Sequence, residues 1–244
     1  MRSFVAAVAF LTRVPVGRKI VCDSTDVGRS AGWFPLVGIS LGALYTFAAA
    51  TLRAHLPLGV VAVLLVILDA IATGALHFDG LADTADGFGG GKGREDILRI
   101  MRDHAIGSYG GLAITSVMVL KVTAYTALLN RSNWVVGLIL TPAMGRWAIL
   151  LLTATLPYAR QTRSVTEGMG KGSLTLGTLS MLLASIASRS LRACIALLVI
   201  IAVTAVFGVY CRRRIGGITG DTLGANLELC ESAALLTFLW RAAP

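Results

Sequence analysis

The chain has 244 residues, of which 55% are hydrophobic and only 14% are charged, and its mean hydropathy is +0.76. A soluble domain carries about a quarter charged residues, so this composition excludes an ordinary soluble domain and is typical of a polytopic membrane protein. The formal net charge of +9 is explained by basic residues that flank membrane spans, and we therefore expect no nucleic-acid partner.

The N-terminal hydrophobic run, Phe4–Leu11, is too short to cross a bilayer. The residues that follow it do not resemble a signal-peptide cleavage site. We therefore expect this run to lie at the membrane interface or against the helical bundle. The four cysteines show no paired spacing, which indicates neither a disulfide framework nor a zinc site.

Seven later stretches are hydrophobic and long enough to form transmembrane helices. We predict an all-α fold, a polytopic integral membrane bundle of about seven helices that forms one membrane-embedded catalytic domain over residues 1–244. The fifth stretch is the weakest, because it is short and rich in small residues. The predicted spans are Trp33–Leu52, Pro57–Leu76, Tyr109–Leu129, Asn133–Leu156, Leu174–Ala187, Ala193–Tyr210 and Thr222–Trp240.

Charge asymmetry orients these spans. With the N-terminus in the cytoplasm, fifteen of the 22 Lys and Arg residues fall in cytoplasmic segments and five fall in outside segments. This bias predicts an N-in orientation. Ten of the 13 acidic residues share the cytoplasmic face, and the other three are Asp69, Glu228 and Glu231. The polar chemistry is therefore expected at the cytoplasmic surface.

Three carboxylates follow the second span, in the stretch His77–Gly87: Asp79, Asp83 and Asp86. On a helix, the spacing i, i+4, i+7 places them within an arc of about 60°. Three like charges on one face repel one another unless a cation lies among them, and hard oxygen ligands suit Mg²⁺ or Mn²⁺. Solvated turn residues are the alternative interpretation, but such a pattern at the end of a span is costly without a role.

The segment 77–108 is long and polar, and we predict that it forms the active-site segment. Its glycine stretch, Gly89–Gly93, could wrap a phosphate through backbone N–H groups. The stretch lacks the spacing of a P-loop, and a flexible linker is the favoured interpretation.

Residues 94–104 predict a short amphipathic helix with Asp96, Arg99 and Asp103 on one face. These residues could form a salt-bridged surface. Alternatively, Arg99 or Arg102 could bind a phosphate group.

A second acidic group lies in the stretch Gly216–Glu231, where Asp221 and Glu228 are seven residues apart and nearly share a helix face. Asp221 could instead be an N-cap or first-turn residue of the seventh span. Within the fourth span, Arg146 is a candidate for pairing with an acidic group or an anionic ligand. His77 could be a base or a ligand, or it could have a surface or capping role.

Together these segments resemble the cobalamin-5'-phosphate synthase family, also called the adenosylcobinamide-GDP ribazoletransferases. The resemblance runs nearly end to end, and the blocks His77–Gly87 and Gly216–Glu228 are the most specific. The matching stretches are Phe10–Pro15, Phe34–Gly38, His77–Gly87, Ile100–Asp103, Gly107–Gly111 and Gly216–Ala225 with Glu228.

The resemblance implies an enzyme of the cell inner membrane that completes the nucleotide loop of the vitamin B12 coenzyme. Such an enzyme joins α-ribazole or its 5'-phosphate to adenosylcobinamide-GDP, releases GMP and requires Mg²⁺. This activity is a phosphotransfer, which needs a metal to neutralise phosphate oxygens. The oligomeric state stays open, and a homo-oligomer is compatible with the sequence.

We assign provisional roles to the candidate residues on this basis. Asp103 or Asp86 would be the base that deprotonates the ribazole hydroxyl, and His77 would contact substrate. Phosphate charge would be stabilised by Arg99, Arg102 and Arg146. The metal ligands would be Asp79, Asp83, Asp86, Asp221 and Glu228.

Two other functions fit parts of the pattern. The stretch Asp83–Gly87 is similar to the opening of the CDP-alcohol phosphotransferase motif, but the Ala-Arg pair that follows in that family is absent. A proton-coupled transporter would place carboxylates near the bilayer midplane, which only Asp69 satisfies, and would usually show inverted repeats, of which we find none.

Overall fold

The computed structural model describes residues 2–15, 24–160 and 168–240. In these ranges the regular structure is helical apart from one isolated β-bridge, which confirms the all-α prediction. Cys22 and four of the counted basic residues, Arg18, Lys19, Arg163 and Arg241, lie outside the described residues. The α-helices are α1 Arg2–Leu11, α2 Ser24–Ser30, α3 Phe34–Leu52, α4 Leu58–Thr73, α5 Leu76–Gly90, α6 Arg94–Ile100, α7 Ser108–Leu129, α8 Trp134–Thr155, α9 Lys171–Ala187, α10 Leu191–Ile215 and α11 Gly220–Leu239.

Length and composition make four of the described helices candidate membrane spans. They are α7, α8, α10 and the continuous stretch Thr25–Leu52 that contains α3. The bent pair α4 and α5 becomes a fifth candidate if it is counted as one span. Helix α9 is shorter, and α11 carries acidic side chains. The structure is therefore that of a multi-pass helical membrane protein, whereas the count of seven spans and the N-in orientation stay predictions.

Helix α8 lies at the centre of the bundle, and α3 crosses it at very close range. A Cβ atom on Gly38 would lie 2.5 Å from the Ala143 Cα atom, and one on Gly42 would lie 2.5 Å from the Ile139 Cα atom. Because the two glycines are four residues apart, they fall on one face of α3. Small residues at this spacing let membrane helices approach closely enough for backbone packing.

A sharp break separates α4 from α5. Gly74 and Ala75 both have left-handed backbone conformations, with φ of 66° and 57°, so the helix cannot continue through them. The two helix axes differ by 91°. We treat α4 as the membrane span, and α5 then runs across its end. All three predicted carboxylates lie on α5, which confirms the helical spacing expected for them.

The N-terminal helix α1 packs against the start of α3, as one of the two expectations for this run required. The rings of Phe10 and Phe34 stack with centroids 5.8 Å apart, and Phe4 meets Trp33 edge-on at 5.6 Å. This contact brings Phe10 close to the end of the bundle that carries α5.

Two local predictions for the segment 77–108 are wrong. The amphipathic helix ends at Ile100 instead of residue 104, so Asp103 lies beyond it and does not share its face. The glycine stretch is not a free linker, because α5 continues to Gly90 and a Cβ atom on Gly89 would strike the ring of Tyr109 at 2.5 Å.

We expect Gly38→Ala to destabilise the bundle, because the added methyl group would press on the backbone of α8. Overpacking of this kind costs about 1–3 kcal/mol. Thermal unfolding in detergent measures the effect. Gly59→Ala is the matched control, since a Cβ atom there meets nothing within 4 Å. Equal midpoints for the two variants would contradict the close crossing of α3 and α8.

Candidate functional site

Close packing of α5 against the start of α11 brings two separate parts of the sequence together. A Cβ atom on Gly80 would lie 2.7 Å from the carbonyl oxygen of Asp221, and one on Gly224 would lie 3.2 Å from the Cα atom of His77. The absence of side chains at these glycines lets the helices meet backbone to backbone. Asp221 therefore lies beside the carboxylate face of α5.

Asp221 occupies the first turn of α11, one of the positions considered for it. The N-cap itself is Thr219, which forms a capping box with Thr222. The Asp221 Oδ2 atom accepts a hydrogen bond of 2.7 Å from Nη2 of Arg160 and one of 3.2 Å from the Thr219 hydroxyl. The capping role belongs to Thr219, and the Asp221 carboxylate is left to interact with other side chains.

The four aspartates of α5 and α11 form one electrostatic unit, which we call the carboxylate site: Asp79, Asp83, Asp86 and Asp221. The pKa of Asp83 is raised to about 7, first by burial and then by the charges of the other three carboxylates, while Arg160 opposes the shift. Burial also raises the pKa of Asp221. Excess negative charge on hard oxygen atoms is the environment that Mg²⁺ or Mn²⁺ prefers, and these residues could hold such an ion.

Asp86 also has a structural role that its spacing did not indicate. Its two carboxylate oxygens accept backbone hydrogen bonds from Gly107 at 2.7 Å and from Gly110 at 2.9 Å. These donors lie at the N-terminus of α7, where N–H groups lack partners within the helix and the helix dipole favours negative charge. Asp86 therefore fixes the start of α7 beside α5. Its predicted roles as a metal ligand and a base stay predictions.

A small cavity of about 140 Å³ opens beside the carboxylate site. Asp79 and Asp221 contribute its acidic wall, and His77 also lines it. The rest of the lining is largely apolar and includes Phe10, Leu76, Ile149 and Leu223. The buried Nε2 atom of His77 has no hydrogen-bond partner among the described residues. The cavity thus combines metal-binding oxygens with an apolar surface.

A second group of ionisable side chains lies buried inside the bundle. We call it the buried ion network: Tyr45, Asp69, Lys121, Arg146, Glu228 and Glu231. Lys121 Nζ lies 2.6 Å from Glu228 Oε2, 2.8 Å from Glu231 Oε2 and 3.6 Å from Asp69 Oδ2. The Tyr45 hydroxyl donates a hydrogen bond of 2.7 Å to Asp69.

Arg146 and Glu228 belong to this network. Arg146 contacts Glu231 and lies 3.9 Å from Asp69, so it pairs with acidic groups, the first of the two alternatives predicted for it. Glu228 is on α11 with Asp221 but about two helical turns, or about 10 Å, further along. The carboxylates of Asp69, Glu228 and Glu231 lie within 4.8 Å of one another, and two protein cations already serve them.

The remaining predicted residues are exposed near α6. Arg99 forms a 2.6 Å ion pair with Asp96 on the helix surface, which matches the salt-bridged interpretation. Asp103 accepts a backbone hydrogen bond from Ala105, and Arg102 lies next to it on the exposed loop. The structure does not test whether these residues contact substrate.

Sequence reasoning missed Arg160, which it counted only as a basic residue of a cytoplasmic loop. Arg160 lies 61 residues from Asp221, and no local pattern marks it. Local patterns also do not reveal the three carboxylate partners of Lys121. Contacts over such sequence distances depend on helix packing.

Comparison with known proteins identifies the family. The sequence profile described as cobalamin-5-phosphate synthase matches residues 3–239. The chain belongs to this family. It is similar to proteins named adenosylcobinamide-GDP ribazoletransferase: it is 33% identical to one from Clostridium botulinum strain Langeland, with 98% of each chain covered. It is 34% identical to one from Shewanella oneidensis, with 97% of this chain and 93% of the relative covered. No solved structure matches the chain.

We expect Lys121→Met to destabilise the protein by about 3–5 kcal/mol, because it leaves the buried carboxylate of Glu228 without its cation. Thermal unfolding in detergent measures the loss. Lys92→Met is the matched control on the surface. Adding Glu228→Gln to Lys121→Met should recover part of the stability, since both partners of one pair are then neutral. A double variant no more stable than Lys121→Met would contradict this pairing.

We expect the affinity of the carboxylate site for Mn²⁺ to fall as the pH decreases below about 7. The raised pKa of Asp83 means that a proton occupies this group at lower pH and must leave before a cation binds. Above about pH 7 the affinity should level off. Titration of free Mn²⁺ by electron paramagnetic resonance at pH 6 and pH 8 measures the difference. Asp83→Asn should remove this pH dependence, and an equal affinity at both values for the wild type would refute it.

Proposed function

We propose that the chain is an adenosylcobinamide-GDP ribazoletransferase of cobalamin synthesis, which joins α-ribazole or α-ribazole 5'-phosphate to adenosylcobinamide-GDP and releases GMP. Family membership over residues 3–239 and the names of the relatives support the activity. The observation that carries the proposal is the carboxylate site, since its residues come from the two most specific blocks of the sequence, on α5 and α11. Separate blocks that converge on one acidic site are typical of an active site.

The products define the bonds that change. Because GMP leaves, the bond that breaks joins the bridging oxygen to the phosphorus on the corrinoid side. A ribazole hydroxyl oxygen forms the new bond to this phosphorus, and its proton passes to a carboxylate. We propose Asp103 or Asp86 as this base. The bridging oxygen leaves with GMP, so charge and atoms balance.

We propose that Asp79, Asp83, Asp86 and Asp221 hold Mg²⁺, with Glu228 as a further candidate. Bound Mg²⁺ would neutralise the phosphate oxygens and keep the entering and leaving oxygens in line. Support comes from the raised pKa of Asp83, which is caused by burial and by repulsion from the other three carboxylates, since a cation would relieve this repulsion. Arg99 on the exposed side of α6 and Arg102 on the loop after it are proposed phosphate contacts. His77 is a proposed substrate contact in the cavity, and Arg146 is proposed to contribute positive charge from the interior.

We further propose that the carboxylate site faces the cytoplasm from the inner membrane. The bias of fifteen cytoplasmic against five outside basic residues supports this orientation. A site at the bilayer surface suits a large amphipathic corrinoid, whose ring could stay in the cytoplasmic leaflet while its diphosphate reaches the carboxylates. The bilayer would then hold the corrinoid substrate as well as the protein.

Replacing Asp83 by Asn should abolish Mg²⁺-dependent activity. The substitution removes the negative charge at the centre of the carboxylate site but keeps the shape of the side chain, and loss of a metal ligand should reduce the rate by at least about 100-fold. The assay measures GMP release by purified protein in liposomes from adenosylcobinamide-GDP and α-ribazole 5'-phosphate, with and without Mg²⁺.

The matched control is Glu95→Gln, which neutralises an exposed carboxylate on α6 and should leave the rate unchanged. Full activity of Asp83→Asn would exclude the carboxylate site as the metal centre. Turnover of a CDP-alcohol donor and a lipid acceptor, with none of the corrinoid substrate, would instead support the lipid-synthase alternative.

A further inference from the structure

Arg160 places a guanidinium group against the carboxylate site. Its Nη2 atom lies 2.7 Å from Asp221 Oδ2, and the two side chains are 15% and 20% exposed. Among the ion pairs formed by the described residues, this is the one in which a basic side chain contacts an aspartate of the carboxylate site. The Arg160 Nε atom is buried and has no hydrogen-bond partner there. The guanidinium therefore has donor capacity that Asp221 does not use.

The backbone before Arg160 is anchored independently of this ion pair. Ala159 donates a 2.7 Å hydrogen bond to Ile218, which in turn donates one of 2.9 Å to Pro157. Arg94 binds the Ala159 carbonyl oxygen at 2.7 Å. Because three contacts hold the chain up to Ala159, the Arg160 side chain is not needed to keep this segment beside α11. It is free to change partner while its Cα atom stays in place.

Arg160 contacts a carboxylate oxygen that a divalent cation could also bind. Asp221 Oδ2 carries the hydrogen bonds from Arg160 and Thr219, so a cation that binds this atom has to displace the guanidinium. A displaced arginine keeps its charge and its planar array of N–H donors, which match phosphate oxygens. The diphosphate of the donor would arrive with the cation and supply those oxygens.

We propose that Arg160 is a phosphate-binding residue, which pairs with Asp221 when the site holds no cation and transfers to the diphosphate of the donor when a cation binds Asp221. This inference rests on the proposed function for the identity of the donor, but its chemistry requires only a divalent cation and a diphosphate. Arg160 thus limits repulsion among the aspartates before substrate arrives and contributes to substrate binding afterwards.

If Arg160 exchanges partners in this way, replacing it should change the affinities for two ligands in opposite directions. In Arg160→Gln the cation no longer competes with an arginine, so Mn²⁺ should bind about threefold to tenfold more tightly, as expected for loss of a partly buried ion pair. Inorganic pyrophosphate, added with saturating Mg²⁺, should bind at least about tenfold more weakly, because a charge-assisted pair is lost. Arg160→Lys should give intermediate values for pyrophosphate, since it keeps the charge but not the planar fork.

Both affinities are measured on purified protein in detergent, Mn²⁺ by electron paramagnetic resonance and pyrophosphate by calorimetry. Arg213→Gln is the matched control: it removes an exposed positive charge at the C-terminal end of α10 and should change neither affinity by more than about twofold. Thermal unfolding of each variant checks that the fold is intact.

Weaker binding of both ligands to Arg160→Gln would mean that Arg160 only supports the shape of the site, and unchanged pyrophosphate binding would mean that it does not contact phosphate. Either result overturns the proposal. Failure of the proposed function looks different: the two affinities would shift in opposite directions as expected, while the wild type would release no GMP from adenosylcobinamide-GDP.

Discussion

Two cations and three carboxylates meet in the interior of the bundle, and most of the helix arrangement is needed for them to meet. Asp69 comes from α4, Lys121 from α7, Arg146 from α8, and Glu228 and Glu231 from α11. A charge at this depth is costly unless it is paired, so a shift of any one of these helices would leave a charge without its partner. The network therefore selects one register among many apolar packings that would otherwise have similar energies.

The carboxylate site depends on this register through α11. The same helix carries Glu228 and Glu231 in the interior and Asp221 at its first turn, so pairing with Lys121 and Arg146 also sets the height at which Asp221 faces α5. The glycine contacts between α5 and α11 then fix the distance between the two helices. The interior ion pairs and the backbone contacts between α5 and α11 thus hold together four carboxylates that would otherwise repel one another.

The site is also connected to helix ends, where a membrane protein offers unpaired backbone groups. Asp86 accepts hydrogen bonds from the start of α7, and the capping box of Thr219 and Thr222 begins α11 beside Asp221. The break at Gly74 and Ala75 turns α5 across the end of the bundle. Rigid helix termini therefore surround the acidic side chains of the carboxylate site. This rigidity favours the binding of cations and phosphates.

The sequence by itself determined the helical membrane class, because composition and hydrophobic length leave no other solution, and it determined the acidic face of α5, because the spacing i, i+4, i+7 is a local property of one helix. It also indicated that Asp221 belongs near that face. Only the tertiary structure decided that Glu228 pairs with Lys121 and Arg146 with Glu231 inside the bundle. It also decided that Asp86 binds the first N–H groups of α7 and that Arg160 reaches Asp221. These contacts join residues 21 to 110 positions apart, and periodicity within a helix carries no information about which distant helix lies opposite.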